Sequence, residues 1–364
     1  MFIRGFVIVL FGLLWVYLHI NIPNNVAAQG DILAYLPIIQ NPPKLSPVSS
    51  STPTATTTTT PTSTPTPTAT IKPSATSSPT VTPTDVTDWF SYINLIRSDT
   101  NLSLVSENAT WSDGCWHHAR YMVKNDVIIH DEDSNNPWYS EAGKLAAQNS
   151  NLMISSNYNA SDIEAIDLWL TGPFHGIGIL DPQVKQVGFG SYQESTGIWQ
   201  YGACLDVLRG LVGDEPPAGT YPVKWPGASS PMRFLQFSGN ESPDPLTSCP
   251  GYSAPSGPPI MLQIGSGDQS PTVSSHSFSS NGTPLEHCIF DETNYTNPNS
   301  SYQSLGRSIL NSRDAIVLIP RQVLNPDTKY AVTITVNGVT YSWEIMTSTS
   351  SLIFTETNYE VILR

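Results

Sequence analysis

The sequence predicts an α+β layered domain followed by an all-β unit. Three observations carry that reading. Apolar residues recur at helical spacing from about residue 85, and strand-like runs follow from Val187. Beyond Gly213 the helical signal disappears, and short apolar runs punctuated by Pro and Gly replace it. Asn337-Gly338 then joins two runs that alternate in phase, the pattern of a tight hairpin whose turn needs φ > 0 at both positions.

The chain has 364 residues, room for two domains plus unstructured segments. Residues 1–28 read as an export signal: Arg4 supplies the positive start, Phe6 to Ile22 is nearly unbroken apolar, and Val26-Ala27-Ala28 offers small residues for cleavage. The apolar run is also about long enough to span a bilayer, so an uncleaved anchor is the alternative. Either way the remainder lies outside the cytoplasm. Residues 29–84 read as a Pro/Thr/Ser-rich disordered linker, because such a tract buries too little apolar surface to offset its ordering entropy.

Residues 85–210 hold the predicted helices. Val86, Trp89, Phe90, Ile93 and Ile96 form one apolar stripe, with Thr84 or Asp85 as its cap. A second helix runs from Asn108 to Asn125 with Trp111, Cys115, His118, Ala119 and Met122 inward. A third starts at the capping box Ser161-x-x-Glu164, with Ile163, Ile166, Trp169 and Leu170 as its apolar face. Strands follow at Val187 to Tyr192 and Ile198 to Leu208. Residues 211–348 read as a β-sandwich, with strands at Ile260 to Ile264, Ala315 to Ile319, Tyr330 to Val336 and Val339 to Ile345, and residues 349–364 as a tail.

A formal net charge of −14 leaves few cations to neutralise phosphates, which argues against a nucleic-acid partner. Four cysteines in an exported chain imply disulfides; one bridge within each globular region, Cys115 with Cys204 and Cys249 with Cys288, is the economical arrangement. His118 lies on a core face and reads as structural, and Asp131-Glu132-Asp133 as a solvated loop. Trp111, Trp116 and Trp169 read as core, while His117, His276 and His287 show no partner pattern. Seven Asn-x-Ser/Thr sequons occur, as chance supplies in a chain this rich in Asn, Ser and Thr.

Across roughly residues 86 to 210, the ordered motifs resemble bacterial members of the CAP superfamily (cysteine-rich secretory, antigen five, pathogenesis-related; SCP-like). Asn94-Leu95-Ile96-Arg97 lies in the first helix and His118-Ala119 in the second; His130 follows alone. Then come Trp169 to His175, Ile179-Leu180 and Val187-Gly188-Phe189-Gly190. The resemblance implies an α–β–α sandwich whose central cleft brings His130 and His175 together, with glutamates that help bind a divalent cation such as zinc. Two neutral imidazoles suit such an ion. The family's Gly-Glu-Asn element falls near Ala142-Gly143-Lys144 without its acid, and Glu141 is the nearest substitute. Its Trp-x-x-Glu acid falls at Gly172, and Asp167 is the candidate replacement. Leu324 to Tyr330 and Tyr341-Ser342-Trp343 are similar to bacterial Ig-like or fibronectin-like repeats.

The leading expectation is a secreted or surface-attached, monomeric, non-enzymatic protein that binds a small ligand, divalent cation or cell-surface component in the cleft. No Gly-x-Ser-x-Gly, His-Glu-x-x-His or paired-glutamate signature is present. The alternatives are a metal-assisted hydrolase with Glu141 as base and a structural adhesin whose cleft is vestigial.

Overall fold

The first helix starts where its cap allows it. In the computed structural model, which describes residues 88–213, 216–217, 219–227, 231–352 and 359–362, α1 (Trp89–Asp99) is capped by Asp88, whose side chain accepts from Ser91 N at 2.8 Å. The cap is thus Asp88 instead of Thr84 or Asp85, because Asp88 is the residue in extended conformation directly before the apolar stripe. The export segment at 1–28, the linker at 29–84 and part of the tail lie outside the described residues.

Arg97 and Asn94 on α1 bond to backbone groups. The Arg97 guanidinium, buried, donates to the carbonyls of Ser103 (2.9 Å), Ile179 (2.8 Å), Asp181 (3.0 Å) and Val184 (3.2 Å). Asn94 exchanges two hydrogen bonds with the backbone of Val105. These loops have no ladder to satisfy their carbonyls, and the planar five-donor fork of arginine supplies one.

After the short strand β1 (Ser106–Glu107), α2 (Ala109–Asn125) is capped by Asn108 and ends at Asp126 in the left-handed conformation. Its inward face carries Cys115, His118, Ala119 and Met122, as the spacing predicts. Trp116 departs from the expected core: it is 38% exposed, because it sits one position outside that face. α3 (Glu141–Ala147), β2 (Ser150–Ser155), α4 (Asp162–Thr171) and α5 (Pro173–Ile179) follow, and the Ser161/Glu164 capping box forms as read. β3 (Gln186–Gln193) and β4 (Tyr201–Asp206) complete the region.

The strands form a sheet in the order β1-β3-β4-β2, and the period-two alternation separates two apolar layers. Leu152, Ile154 and Cys204 face Cys115, Met122 and Ala146 on the α2/α3 side. Met153, Ala203, Leu205 and Phe189 face Tyr92, Ile166 and Trp169 on the α1/α4 side. An α–β–α arrangement results. Cys115 and Cys204 pin α2 to β4. Gly190 on β3 lets α2 approach, since a side chain there would strike the Trp116 backbone.

The following residues are β-rich. A four-stranded antiparallel sheet has the order β10-β11-β7-β5, from β5 (Val223–Trp225), β7 (Ile260–Gln263), β10 (His287–Asp291) and β11 (Ala315–Pro320). A five-stranded sheet has the order β6-β13-β12-β8-β9, from β6 (Met232–Phe234), β8 (Val273–Ser280), β9 (Thr283–Pro284), β12 (Lys329–Val336) and β13 (Val339–Leu352). The Asn337-Gly338 hairpin forms with φ of 51° and 76°. Cys249 and Cys288 bridge within the region.

The all-β expectation needs one correction. Helix α6 (Ser300–Asn311), capped by Asn299, packs Leu305, Gly306, Ile309 and Leu310 inward at i, i+1, i+4 and i+5. The Ser- and Asn-rich composition around it hides that short stripe. Residues 349–364, read as a tail, contain the end of β13 and a last strand, β14 (Tyr359–Ile362), which pairs antiparallel with β2.

The described residues all fall in one compact unit. One large apolar cluster runs from α1 and α4 through to β7, β11 and β12. Helix α5 is buried on all sides, as an all-round apolar helix must be; its Phe174 ring meets that of Tyr295, just before α6, at 5.1 Å, and Gly306 of α6 lies against both rings. Gln263 donates to Leu180 O at 3.1 Å and Arg313 pairs with Asp181 at 2.8 Å across the same seam.

Candidate functional site

His175 lies at the third position of α5 and is 1% exposed. Its neighbour is Glu241, which precedes the short helical turn Pro245–Ser248. One carboxylate oxygen, Oε1, accepts from the His175 ring Nδ1 (3.0 Å), His175 N (3.0 Å) and Phe174 N (2.8 Å). The two backbone donors are those that the start of a helix leaves unpaired. Oε2 of Glu241 is buried and has no hydrogen-bond partner among the described residues. Burial pushes the Glu241 carboxyl above its ordinary range, and the His175 ring and backbone donors oppose that shift.

Gly172 makes the arrangement sterically possible. A Cβ at 172 would lie 2.6 Å from both Cδ and Oε1 of Glu241. The position at which the family resemblance implies an acid therefore has no side chain, and the carboxylate of a residue far along the chain fills the space beside it.

His130 follows α2 and is half-buried. Its Nδ1 lies 2.6 Å from Ala147 O at the end of α3. A carbonyl only accepts, so Nδ1 carries the proton of the neutral ring and Nε2 is its acceptor nitrogen.

The two expected acids are engaged with other partners. Glu141 is exposed at the start of α3 and accepts from the Tyr139 hydroxyl at 2.5 Å, which raises the tyrosine's pKa. Asp167 is fully buried on α4; it accepts from the Tyr92 hydroxyl and lies 3.6 Å from Arg233 of β6. Burial raises Asp167 to about 6, while the Arg233 charge and the Tyr92 hydrogen bond pull it down. Tyr92 and Arg233 also line an open apolar groove with Ile96, Trp225 and Phe234. Among the described residues no group of three or more His, Cys, Asp or Glu gathers as metal ligands would.

Glu132 corrects the reading of the acidic run as a solvated loop. It is 2% exposed, with Oε1 2.9 Å from His118 Nδ1 and Oε2 accepting from Ser140 N at 2.9 Å. His118 Nε2 meets Ile129 O at 2.9 Å. Both ring nitrogens thus face oxygens, and the pair ties α2 to the loop before α3. His118 is structural, as its core position predicts. Glu132 was not legible because its flanking acids set the local charge pattern. Glu241 gives no signal at all, since it stands 66 positions from His175 within Ser-Gly-Asn-Glu-Ser-Pro.

Residues 90–204, about a third of the chain, match the family model "CAP: Cysteine-rich secretory protein family". No curated protein matches. Among solved structures, an extracellular protein containing an SCP domain from Bacillus anthracis str. Ames is similar at 20% identity, over 33% of this chain and 38% of that one, with a TM-score of 0.26. The chain thus spans well under half of that protein. The protein carries a CAP-like domain, and that match, with two disulfides among its four cysteines, places it outside the cytoplasm.

Proposed function

We propose that this is a secreted, non-enzymatic CAP-domain protein that binds a small ligand or a divalent cation such as zinc in a cleft built on His130 and His175. Glu241 stands in for the acid that Gly172 lacks. The observation that carries the reading is the Glu241 carboxylate itself: one oxygen is fixed by three donors on α5, and the other is buried and unspent. A buried carboxylate oxygen without a partner costs free energy, and an incoming cation or donor group recovers it. The chain's own residues orient the site. Ala147 O sets the His130 tautomer, and Glu241 sets the His175 ring. In the same reading, residues 1–28 direct export, the Pro/Thr/Ser tract at 29–84 is a spacer, and the β-rich region is an Ig-like module that displays the cleft.

The test is zinc chloride titrated into the tag-free protein by calorimetry, beside His130→Ala, His175→Ala and Glu241→Gln. Binding weakened in all three supports the cleft. Zinc binding unchanged in all three removes the cation from it. Peptide hydrolysis by the wild type that disappears in the two histidine variants replaces the non-enzymatic reading with a hydrolase.

A further inference from the structure

The β-rich region holds two histidines that the cleft does not use. His276 stands on β8 and His287 on β10, strands of different sheets. His276 Nδ1 and His287 Nε2 are 2.8 Å apart, with ring centroids 5.0 Å apart and planes at 83°. His287 Nδ1 lies 2.7 Å from Leu285 O. That carbonyl accepts a hydrogen bond, so in the neutral ring the proton sits on Nδ1 and the lone pair on Nε2, aimed at His276. Moving the His276 proton from Nδ1 to Nε2 is a tautomer change without net proton loss. It leaves two imidazole lone pairs side by side.

We propose that His276 and His287 form a two-imidazole site for a tetragonal divalent transition cation, copper(II) above all. Imidazole suits such ions, and copper(II) heads the affinity order for nitrogen donors. Donors about 2.0–2.1 Å from one ion stand roughly 2.9 Å apart at a right angle and roughly 3.4 Å apart at the tetrahedral angle. The hydrogen-bonded nitrogens, 2.8 Å apart, already stand close to that span before the His276 ring turns to aim its lone pair at the ion. The backbone acceptor on the far nitrogen of His287 is the partner that fixes a ligating ring. The mounting is rigid. His287 pairs with Pro320 of β11 and precedes the disulfide-bonded Cys288, and His276 pairs with Ile334 of β12. The Phe278 ring lies 6.2 Å from that of His287. His276 is exposed, so it has room for the turn that chelation needs. The adjacent carboxylate, Glu286, is paired with Arg321 at 2.7 Å, which leaves water for the remaining positions.

This site is independent of the cleft. The test is copper(II) chloride titrated into the tag-free full chain by calorimetry, with electron paramagnetic resonance on the loaded protein. Circular dichroism confirms that each variant is folded; His276→Gln, at an exposed position, keeps the test available if His287→Gln unfolds. In the His130→Gln background, which removes a ligand of the cleft, the expected result is one site with nitrogen hyperfine coupling, weakened roughly tenfold or more when either variant is added. His117→Gln leaves it unchanged. Affinity within threefold of that background when His276→Gln is added overturns the proposal, as does the absence of the signal from the His130→Gln protein, which assigns the copper to the cleft.

Discussion

Glu241 and His175 meet through a single carboxylate oxygen although 66 positions separate them: Oε1 lies 3.0 Å from the His175 ring nitrogen and 3.0 Å from its backbone nitrogen. The contact joins the β-rich region to the helix that carries His175, so it acts on stability. Glu241→Ala leaves a buried ring and two backbone donors without an acceptor. It is expected to cost about 2–4 kcal/mol in urea unfolding. A loss under 0.5 kcal/mol would show that water replaces the carboxylate without penalty.

Gly172 and Glu241 should be coupled. Gly172→Ala places a Cβ against the carboxylate and is expected to cost about 1–3 kcal/mol in the wild-type background. In Glu241→Ala the same substitution meets no carboxylate, so its cost should shrink. A double-mutant cycle measures the difference, and strictly additive effects would refute the steric argument.

Stability should fall as pH rises from about 4 to about 6. Asp167 has an ordinary pKa of 3.8 and is raised to about 6 in the folded protein, mainly by burial. Between those values the folded state keeps a proton that the unfolded chain has released, so raising the pH favours unfolding until the folded group has also ionised. Asp167→Asn removes this group's share of the slope. Urea midpoints at several pH values decide the matter. A slope as steep in the variant as in wild type would locate the effect in Asp206 or Asp314, which burial also raises to about 6.

Arg97→Lys is expected to cost about 2–4 kcal/mol despite keeping the charge. A lysine point donor cannot serve the four carbonyls that the guanidinium reaches from three nitrogens. Thermal and urea unfolding read the loss, and a Lys variant as stable as wild type would show that solvent satisfies those carbonyls equally well.

The two disulfides should differ in worth. Cys115–Cys204 closes a separation of 89 residues and Cys249–Cys288 one of 39. On chain-entropy grounds each contributes about 2–5 kcal/mol, the longer loop roughly 0.5–1 kcal/mol more. Paired Cys→Ala variants of each bridge, compared in urea, test the order.

Helices α1, α2 and α4 were legible because their signals are local, whereas α3 and α5, seven residues each, are too short to show a stripe. Asn108, the Ser161/Glu164 box and the inward stripe on α2 each act within a few residues of themselves. The Asn337-Gly338 hairpin was legible for the same reason. β2 was missed because Ser150 to Ser155 is buried on both faces and shows no alternation. Helix α6 was missed because its inward face is only four residues wide. In the candidate site, His130 and His175 could be named as candidates by their order along the chain. Their carboxylate could not, because the contact between Glu241 and Gly172 exists only after two distant segments pack. The same holds for Glu132 with His118 and for His276 with His287.

Strand β14 gives the molecule an order of assembly. It lies along the outer side of β2, with Tyr359 opposite Ser155 and Ile362 opposite Leu152. During synthesis about two hundred residues must emerge between those partners, and for that interval the amide edge of β2 is bare, a ready template for a neighbouring chain. A nascent or clipped polypeptide ending before Tyr359 keeps that edge permanently open, and intermolecular strand pairing is the fate its geometry invites.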